Sequence, residues 1–320
     1  MVKKLGQLCL IIGIDYMNDY NTYMEKVAQF GNIYFSIPGW HCYYKLYNSI
    51  NIIRKRYPFI FVRGIKIDAI YDCPPSCIWN GGSFTFGQTL TKNQLIDICT
   101  FYKNILKVPI RLTFTNPVLT ESDLKDRYGN MIAETVSLFE GNEALVSTDL
   151  MANYLSRQYP NLKLIRSIIG TKDAPYSENT LFKRTVLARR ENNNFNLLHN
   201  IPETHRGNIE ILCNEVCIPN CPYTYEHYAN HGLDQLHYCT DSKGCKMTQI
   251  CRDFRALNIQ YRYNHLDLDD IFLTYLPLGY KHFKFSPRFD ESFFIEEFAR
   301  FFIREEYQQD FRVLVRKDLL

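Results

Sequence analysis

The chain has 320 residues, 46% of them hydrophobic, and a formal net charge of +3. This length suits one α/β barrel, which typically needs about 250 residues plus insertions, and the apolar content can fill a sizeable core. The small charge argues against nucleic acid or an anionic membrane surface as the principal partner.

The amino-terminal segment predicts neither a membrane span nor a cleaved leader. Residues 8–14 are apolar and follow two lysines, but the stretch is short and no small-residue cleavage site follows it. Elsewhere no apolar run approaches the roughly 18–20 residues that cross a bilayer. We therefore expect a cytoplasmic protein without membrane attachment, in which the eleven cysteines are reduced.

Eight short runs rich in β-branched and aromatic residues recur along the chain, and each ends in a polar or turn residue. Such continuous apolar runs are typical of strands buried on both faces of a parallel sheet. The predicted strands are 32–38, 65–71, 109–116, 144–149, 163–169, 185–189, 209–215 and 281–286.

Segments with apolar residues at helical spacing lie between these strands. The predicted helices are 43–56, 92–106, 124–139, 150–159, 195–198 and 291–307. A chain that alternates strand and helix eight times most simply closes as a (β/α)8, TIM-like barrel. An open doubly wound sheet is less favoured because no GxGxxG turn is present. We predict one barrel domain over 32–320, preceded by an N-terminal extension over 1–31.

Polar side chains cluster where the predicted strands end, which is the catalytic face of such barrels. The set comprises Trp40, His41, Asp72, Cys73, Thr115, Asn116, Thr148, Asp149, Ser167, Arg189, Arg190, Glu191, Asn214, Glu215, Ser286 and Arg288. We expect the pocket to be drawn from this set, although loops are polar in any protein.

The segment 73–84, CPPSCIWNGGSF, follows the second strand. Its two glycines permit a sharp turn or a close backbone approach to a ligand. Trp79 has two interpretations: it stacks on a planar substrate, or it plugs the core beneath a tight loop.

The densest chemical signal lies between Cys213 and Cys251. Cys213 falls inside the seventh predicted strand and is expected to be a core residue, as are Cys9, Cys42 and Cys99. The other five cysteines of this stretch are predicted to lie on one long insertion over the barrel mouth and to bind a metal. They are Cys217, Cys221, Cys239, Cys245 and Cys251. Thiolate sets of this kind hold either structural zinc or an iron–sulfur cluster, and the spacing leaves both open.

Three histidines share this insertion. His227 and His231 are four residues apart and would share one face of a helix. No HExxH motif surrounds them, so a zincin site is not supported. We expect His227 to line the pocket, His231 less so, and His237 to be a surface residue, a ligand or an acid–base group.

The sequence NEVCIPNCPYTYEHY, followed by further cysteines and by GYKHFKFSPRF, resembles the collagenase-like peptidase family U-32. That resemblance implies a barrel with a 4Fe–4S cluster, because the family's better understood members are barrels that carry such a cluster. Those members carry out oxygen-independent hydroxylation. It implies Cys217 and Cys221 as ligands, completed by two of the three later cysteines. Pro287 departs from the family pattern, which normally has glycine in the closing strand.

The leading hypothesis is therefore an iron–sulfur enzyme that modifies a small molecule or a nucleobase, with possible RNA binding and an unidentified partner subunit. Asn116, Glu215, His227 and Arg288 would orient its substrate. A second hypothesis is a hydrolase with structural zinc, in which Asp149 and Glu191 act as general acid and base. The third is a non-catalytic binding protein whose metal holds a long loop in place.

Overall fold

Eight parallel strands close into a barrel in chain order in the computed structural model, which describes residues 20–170, 176–238, 248–262, 265–286 and 291–319. The strands are β1 (Ile33–Pro38), β2 (Ile65–Asp72), β3 (Ile110–Phe114), β4 (Glu143–Val146), β5 (Lys163–Arg166), β6 (Phe182–Val186), β7 (Ile209–Leu212) and β8 (His282–Lys284). β8 pairs with β1 and closes the sheet. The predicted (β/α)8 fold is confirmed.

Helices surround the barrel. They are α1 (residues 20–30), α2 (Tyr44–Arg56), α3 (Lys92–Phe101), α4 (Arg127–Ser137), α5 (Asp149–Gln158), α6 (Phe195–Asn200), α7 (Glu203–Arg206), α8 (Thr224–His237), α9 (Thr248–Tyr261), α10 (Glu291–Phe302) and α11 (Gln308–Leu319). Within the described parts of the chain, no helix combines the length and apolar composition that crossing a membrane requires.

The closing helix is shorter than predicted. The segment 291–307 was expected to be one helix, but α10 ends at Phe302 because Ile303 forms an antiparallel bridge with Phe61. The Arg304 N–H then donates to the Ile60 carbonyl at 2.9 Å. These backbone bonds replace the next helical turn, and the chain continues as α11, which the sequence did not predict.

The cysteine-rich insertion is also more regular than predicted. We expected a long irregular loop, but α8 and α9 account for most of its described residues. α8 buries Gly232 and Gln235, three residues apart, against the barrel mouth. The Gln235 amide exchanges hydrogen bonds with the backbone of Thr85 at 2.8 and 2.9 Å. A helix with one face anchored in this way satisfies its own backbone groups, which an irregular buried loop could not do.

Part of the barrel interior contains charged side chains, where branched aliphatic residues are usual. Arg111 on β3 is fully buried and binds Asp68, Glu143 and Glu210 at 2.7–3.1 Å. Arg184 on β6 also pairs with Asp68. We call these five side chains the lumen ion cluster. Nearer the carboxyl ends, one apolar layer covers it, formed by Leu145, Ile165, Val186 and Leu212.

Trp79 is a core residue. Its indole is fully buried, packs edge-on against Phe114 at 5.0 Å and donates to the Asp123 carbonyl at 2.8 Å. Of the two interpretations of segment 73–84, the core plug is therefore correct and the substrate-stacking role is wrong. Gly81 approaches the chain at Thr115 so closely that a Cβ would lie 2.2 Å from the Thr115 oxygen.

Two of the four cysteines predicted to be core residues are confirmed. Cys99 and Cys213 are buried. Cys42 is exposed, so its predicted place in the core is wrong. It lies in the turn between β1 and α2, whose buried side chains come from other positions. Cys9 lies outside the described residues.

Candidate active site at the carboxyl ends of the strands

A cavity of about 220 Å³ opens at the carboxyl ends of β5, β6 and β7, beneath the start of α8. Arg189 and Arg190 line one side, and Tyr225 and Tyr228 of α8 line another. Cys221 forms part of the wall. Two of the predicted strand-end residues and one predicted metal ligand therefore meet at a single cavity.

Arg189 connects this cavity with the end of β7. Its guanidinium donates to the Thr224 hydroxyl at 2.6 Å. Burial alone would lower its pKa, but Tyr228, the Cys217 thiol and Glu215 raise the pKa of Arg189 above its usual value. Arg189 therefore supplies a fixed positive charge beside the first predicted ligand.

Glu215 shapes the turn that begins the insertion. Its Oε1 accepts from the Val216 and Cys217 N–H groups at 2.8 and 2.9 Å. Burial, with the Glu215 carboxylate next in importance, raises the pKa of the Cys217 thiol to about 12. A bound metal ion would reverse this preference, because coordination removes the proton from a thiol.

The α8 histidines share one face of the helix, as their spacing indicated. The rings of His227 and His231 lie 4.3 Å apart, edge to face. Burial, together with the His231 ring and Arg255, lowers the pKa of His227 to about 4, so this imidazole is neutral at pH 7. Nδ1 of His231 is buried without a hydrogen-bond partner in the described structure. His237 is exposed at the end of α8.

Arg255 is a charged neighbour that the sequence did not indicate. It extends from α9 and acts electrostatically on His227, His231 and Cys217. It lies in the insertion's second helix, and nothing in the local sequence specified how α9 would pack. Tyr228 was missed in the same way, although its three-residue spacing from Tyr225 is a helical signal.

Asn116 lies apart from this cavity as a structural residue. It is fully buried, and its amide donates to the carbonyls of Ile78 and Gly232 at 2.8 and 3.0 Å. Its oxygen accepts from the Val118 N–H at 3.2 Å. These bonds fasten α8 to the end of β3, so Asn116 helps to hold α8 over the barrel mouth.

Other strand-end residues also serve the scaffold. Asn214 donates to Glu297 and accepts from the Ser286 N–H, while Thr148 caps α5. Each of the two carboxylates suggested for hydrolysis is paired with an arginine: Asp149 binds Arg166 at 2.8 Å and is 76% exposed, and Glu191 binds Arg190, which lines the cavity, at 3.1 Å. Arg288 lies outside the described residues.

Three of the five predicted metal ligands are described. Cys217, Cys221 and Cys251 are each partly buried. They do not form a compact set of three ligand atoms, since the described chain contains one such group and it is elsewhere. A single tetrahedral zinc would hold its sulfurs about 3.8 Å apart. Cys239 and Cys245 lie outside the described residues.

The compact group lies across the mouth, at the ends of β1 and β2. His41, Cys42 and Asp72 place one ligand atom each within 4.8 Å of one another. Nδ1 of His41 lies 3.1 Å from Asp72 Oδ2, and Sγ of Cys42 lies 3.8 Å from the same oxygen. The sequence offered His41 and Asp72 as strand-end residues but did not join Cys42 to them.

Comparisons with known proteins assign no family: no family model matches the chain, and no curated protein matches it. Function must therefore be inferred from the residues at the barrel mouth.

Proposed function

We propose that the protein is an iron–sulfur barrel enzyme of the U-32-like type. In this proposal Cys217 and Cys221 bind a 4Fe–4S cluster, with two of Cys239, Cys245 and Cys251. The observation that carries the proposal is the position of the first pair: both cysteines lie in the segment that joins β7 to α8, and Cys221 lines the cavity together with Arg189 and Arg190. In barrels of this class, chemistry occurs at that end of the strands.

The arrangement of the described cysteines argues against one compact zinc site, which supports the choice of a cluster in this proposal. Thiolates are the ligands that iron–sulfur clusters use. Each thiolate of a 4Fe–4S cluster binds a different iron, so the sulfurs stand farther apart than around one metal atom. The described cysteines are not gathered as tightly as one zinc requires. No described contact favours the hydrolase alternative, because Asp149 and Glu191 are engaged with Arg166 and Arg190.

The cavity indicates the class of substrate. At about 220 Å³ it is smaller than the roughly 300–1,000 Å³ of sites for drug-sized ligands. The guanidinium groups of Arg189 and Arg190 suit a carboxylate or phosphate, and two tyrosine rings suit a planar body. We infer a small, anionic, planar substrate or a single nucleobase, and this favours a small molecule over folded RNA.

The chain's own residues bind and orient such a substrate. Arg189 is held by Thr224, so its charge has a fixed direction. His227, on α8 within the insertion, is neutral at pH 7 and would accept a proton. Glu215 fixes the backbone of the turn that carries Cys217. When bound, the cluster would supply electron transfer or Lewis acidity, in line with an oxidation–reduction or oxygen-independent hydroxylation.

Site-directed variants test this assignment. The full-length protein is purified without oxygen, and its visible absorption near 400 nm is compared among variants. Cys217→Ser and Cys221→Ser should each lose most of the absorption, while Cys42→Ser, an exposed cysteine outside the set, should retain it. Equal absorption in all three variants, or a colourless wild-type protein containing zinc, would overturn the proposal.

A further inference from the structure

We propose that His41, Cys42 and Asp72 form a second metal site, which binds one zinc-like divalent ion and keeps one coordination position open. The three residues come from the ends of β1 and β2, on the catalytic face of the barrel. The site shares no residue with the cysteines that follow β7. The inference therefore stands independently of the proposed iron–sulfur cluster.

The distances match those around one tetrahedral ion. Zinc bonds of about 2.0–2.1 Å to nitrogen, 2.0–2.2 Å to oxygen and 2.3 Å to sulfur place N and O about 3.3 Å apart and S and O about 3.5 Å apart. The corresponding separations are 3.1 Å from His41 Nδ1 to Asp72 Oδ2 and 3.8 Å from Cys42 Sγ to the same oxygen. A shift of a few tenths of an ångström would suffice for coordination.

The environment of the His41 imidazole also fits a metal ligand. Nδ1 of His41 is buried and has no hydrogen-bond partner among the residues that the structure describes, although the Asp72 oxygen lies only 3.1 Å away. The carboxylate thus stands beside the nitrogen without the alignment of a hydrogen bond. Two ligand atoms of one metal ion lie close together in this way without a hydrogen bond between them, because each directs a lone pair at the ion. A buried polar atom left without a partner otherwise costs about 1–3 kcal/mol.

The turn that carries His41 and Cys42 is held by buried hydrogen bonds. The Tyr47 hydroxyl donates to the Pro38 carbonyl, and the Tyr102 hydroxyl donates to the Trp40 carbonyl at 2.9 Å. Burial raises the pKa of both tyrosines well above the ordinary value, so both remain donors. The ligands are therefore preorganised by backbone bonds that do not depend on the metal.

The aspartate is oriented by its own neighbours. The Cys73 N–H donates to Asp72 Oδ1 at 2.9 Å, and this leaves Oδ2 facing His41 and Cys42. The Trp40 indole donates to the Asp72 carbonyl at 3.1 Å and ties the two strand ends together. Partners of this kind, which fix the direction of a ligand, are a regular part of protein metal sites.

Access to solvent defines the kind of site. Cys42 is exposed and the His41 side chain is 16% exposed, whereas Asp72 is buried beneath them. A zinc ion with three protein ligands and a solvent-facing fourth position is the arrangement of catalytic sites, whereas structural zinc has four protein ligands. The open position would take a water molecule or an oxygen donor such as a carboxylate.

Cobalt titration of the metal-free, full-length chain tests the site. Co²⁺ bound to a thiolate absorbs in the near ultraviolet, and competition with Zn²⁺ gives the affinity. The wild type should bind one more ion per chain than Cys42→Ser, and the variant should lose the absorption of one thiolate. Because changes in the outer shell of a site already cost about 10–100-fold in affinity, His41→Ala and Asp72→Asn should weaken zinc binding at least about 100-fold.

Two controls separate this site from the other cysteines and from misfolding. Cys221→Ser should leave this ion in place while altering the iron content. Because Cys42 is exposed, its substitution should leave the circular dichroism spectrum and the unfolding midpoint unchanged. Equal cobalt stoichiometry and zinc affinity in the wild type and a folded Cys42→Ser variant would overturn the proposal.

Discussion

Replacing Arg111 by methionine removes the centre of the lumen ion cluster and should strongly destabilise the fold. The guanidinium is fully buried, and it donates to Glu143 at 2.7 Å, to Glu210 at 2.8 and 2.9 Å and to Asp68 at 3.1 Å. Methionine fills a similar volume but offers no positive charge. The substitution leaves carboxylates in the barrel interior without their shared partner.

The loss of stability depends on the partners that each carboxylate keeps after Arg111 is removed. Removing one member of a buried ion pair typically costs about 3–5 kcal/mol, because the other charge stays buried without compensation. Arg184 still pairs with Asp68, and Lys183 still binds Glu143 at 2.7 Å. Glu210 loses the most stabilisation, because its remaining hydrogen bonds are to Ser36 at 3.0 Å and to Arg184 at 3.5 Å. We expect a loss of about 3–5 kcal/mol in the free energy of unfolding.

Urea denaturation followed by tryptophan fluorescence measures this loss, because Trp40 and Trp79 are both fully buried. The matched control is Arg166→Met, which breaks an ion pair with the exposed Asp149 and should cost under about 1 kcal/mol. In Arg111→Met the buried carboxylates acquire raised pKa values and take up protons in the folded state. Its deficit relative to the wild type should therefore shrink as the pH falls. Equal losses in both variants, or a deficit independent of pH, would refute this explanation.

Three further predictions follow from individual contacts. Burial, with the Arg184 charge next in importance, lowers the pKa of His282 to about 4, so the unfolded chain binds more protons below pH 6.5. The free energy of unfolding, measured by urea denaturation, should therefore fall as the pH is lowered from about 6.5 to about 4, by up to about 3 kcal/mol for this group, and His282→Gln should flatten the profile. Asn116→Ala should cost at least about 2 kcal/mol in urea denaturation by leaving three buried or partly buried backbone groups unbonded, without changing the iron content. Gly39→Ala should cost about 1–3 kcal/mol in thermal or urea unfolding, because φ is +96° and the new Cβ would lie 2.2 Å from the Tyr43 ring; an unchanged midpoint would contradict this strain.

The fold could be predicted because its strands carry a strong local signal. Short apolar runs ending in polar residues identified all eight strands, and their order left a barrel as the simplest closure. The lumen ion cluster could not be predicted from such runs. Arg111 alternates with Ile110 and Leu112, which shows that it faces away from them. One strand does not reveal whether that side faces the lumen or the helices.

The candidate site was predictable only in part. The loop cysteines and the polar strand ends were identified from sequence, since barrel enzymes use that face. Cys42 was assigned to the core because it is isolated in the chain from the other cysteines. Cys42 lies close to Asp72 because β1 pairs with β2. That proximity can be predicted only by comparing the ends of adjacent strands. The packing of α9, which brings Arg255 to the histidines, depends on tertiary contacts that no local pattern encodes.

The iron and acid-labile sulfide content of the wild-type chain, purified without oxygen, tests the central claim most directly. We expect about four iron and four sulfide per chain, as a 4Fe–4S cluster requires. We also expect Cys217→Ser and Cys221→Ser to lose both together. A chain that contains zinc, no iron and no sulfide, and that folds normally, would contradict the presence of the cluster.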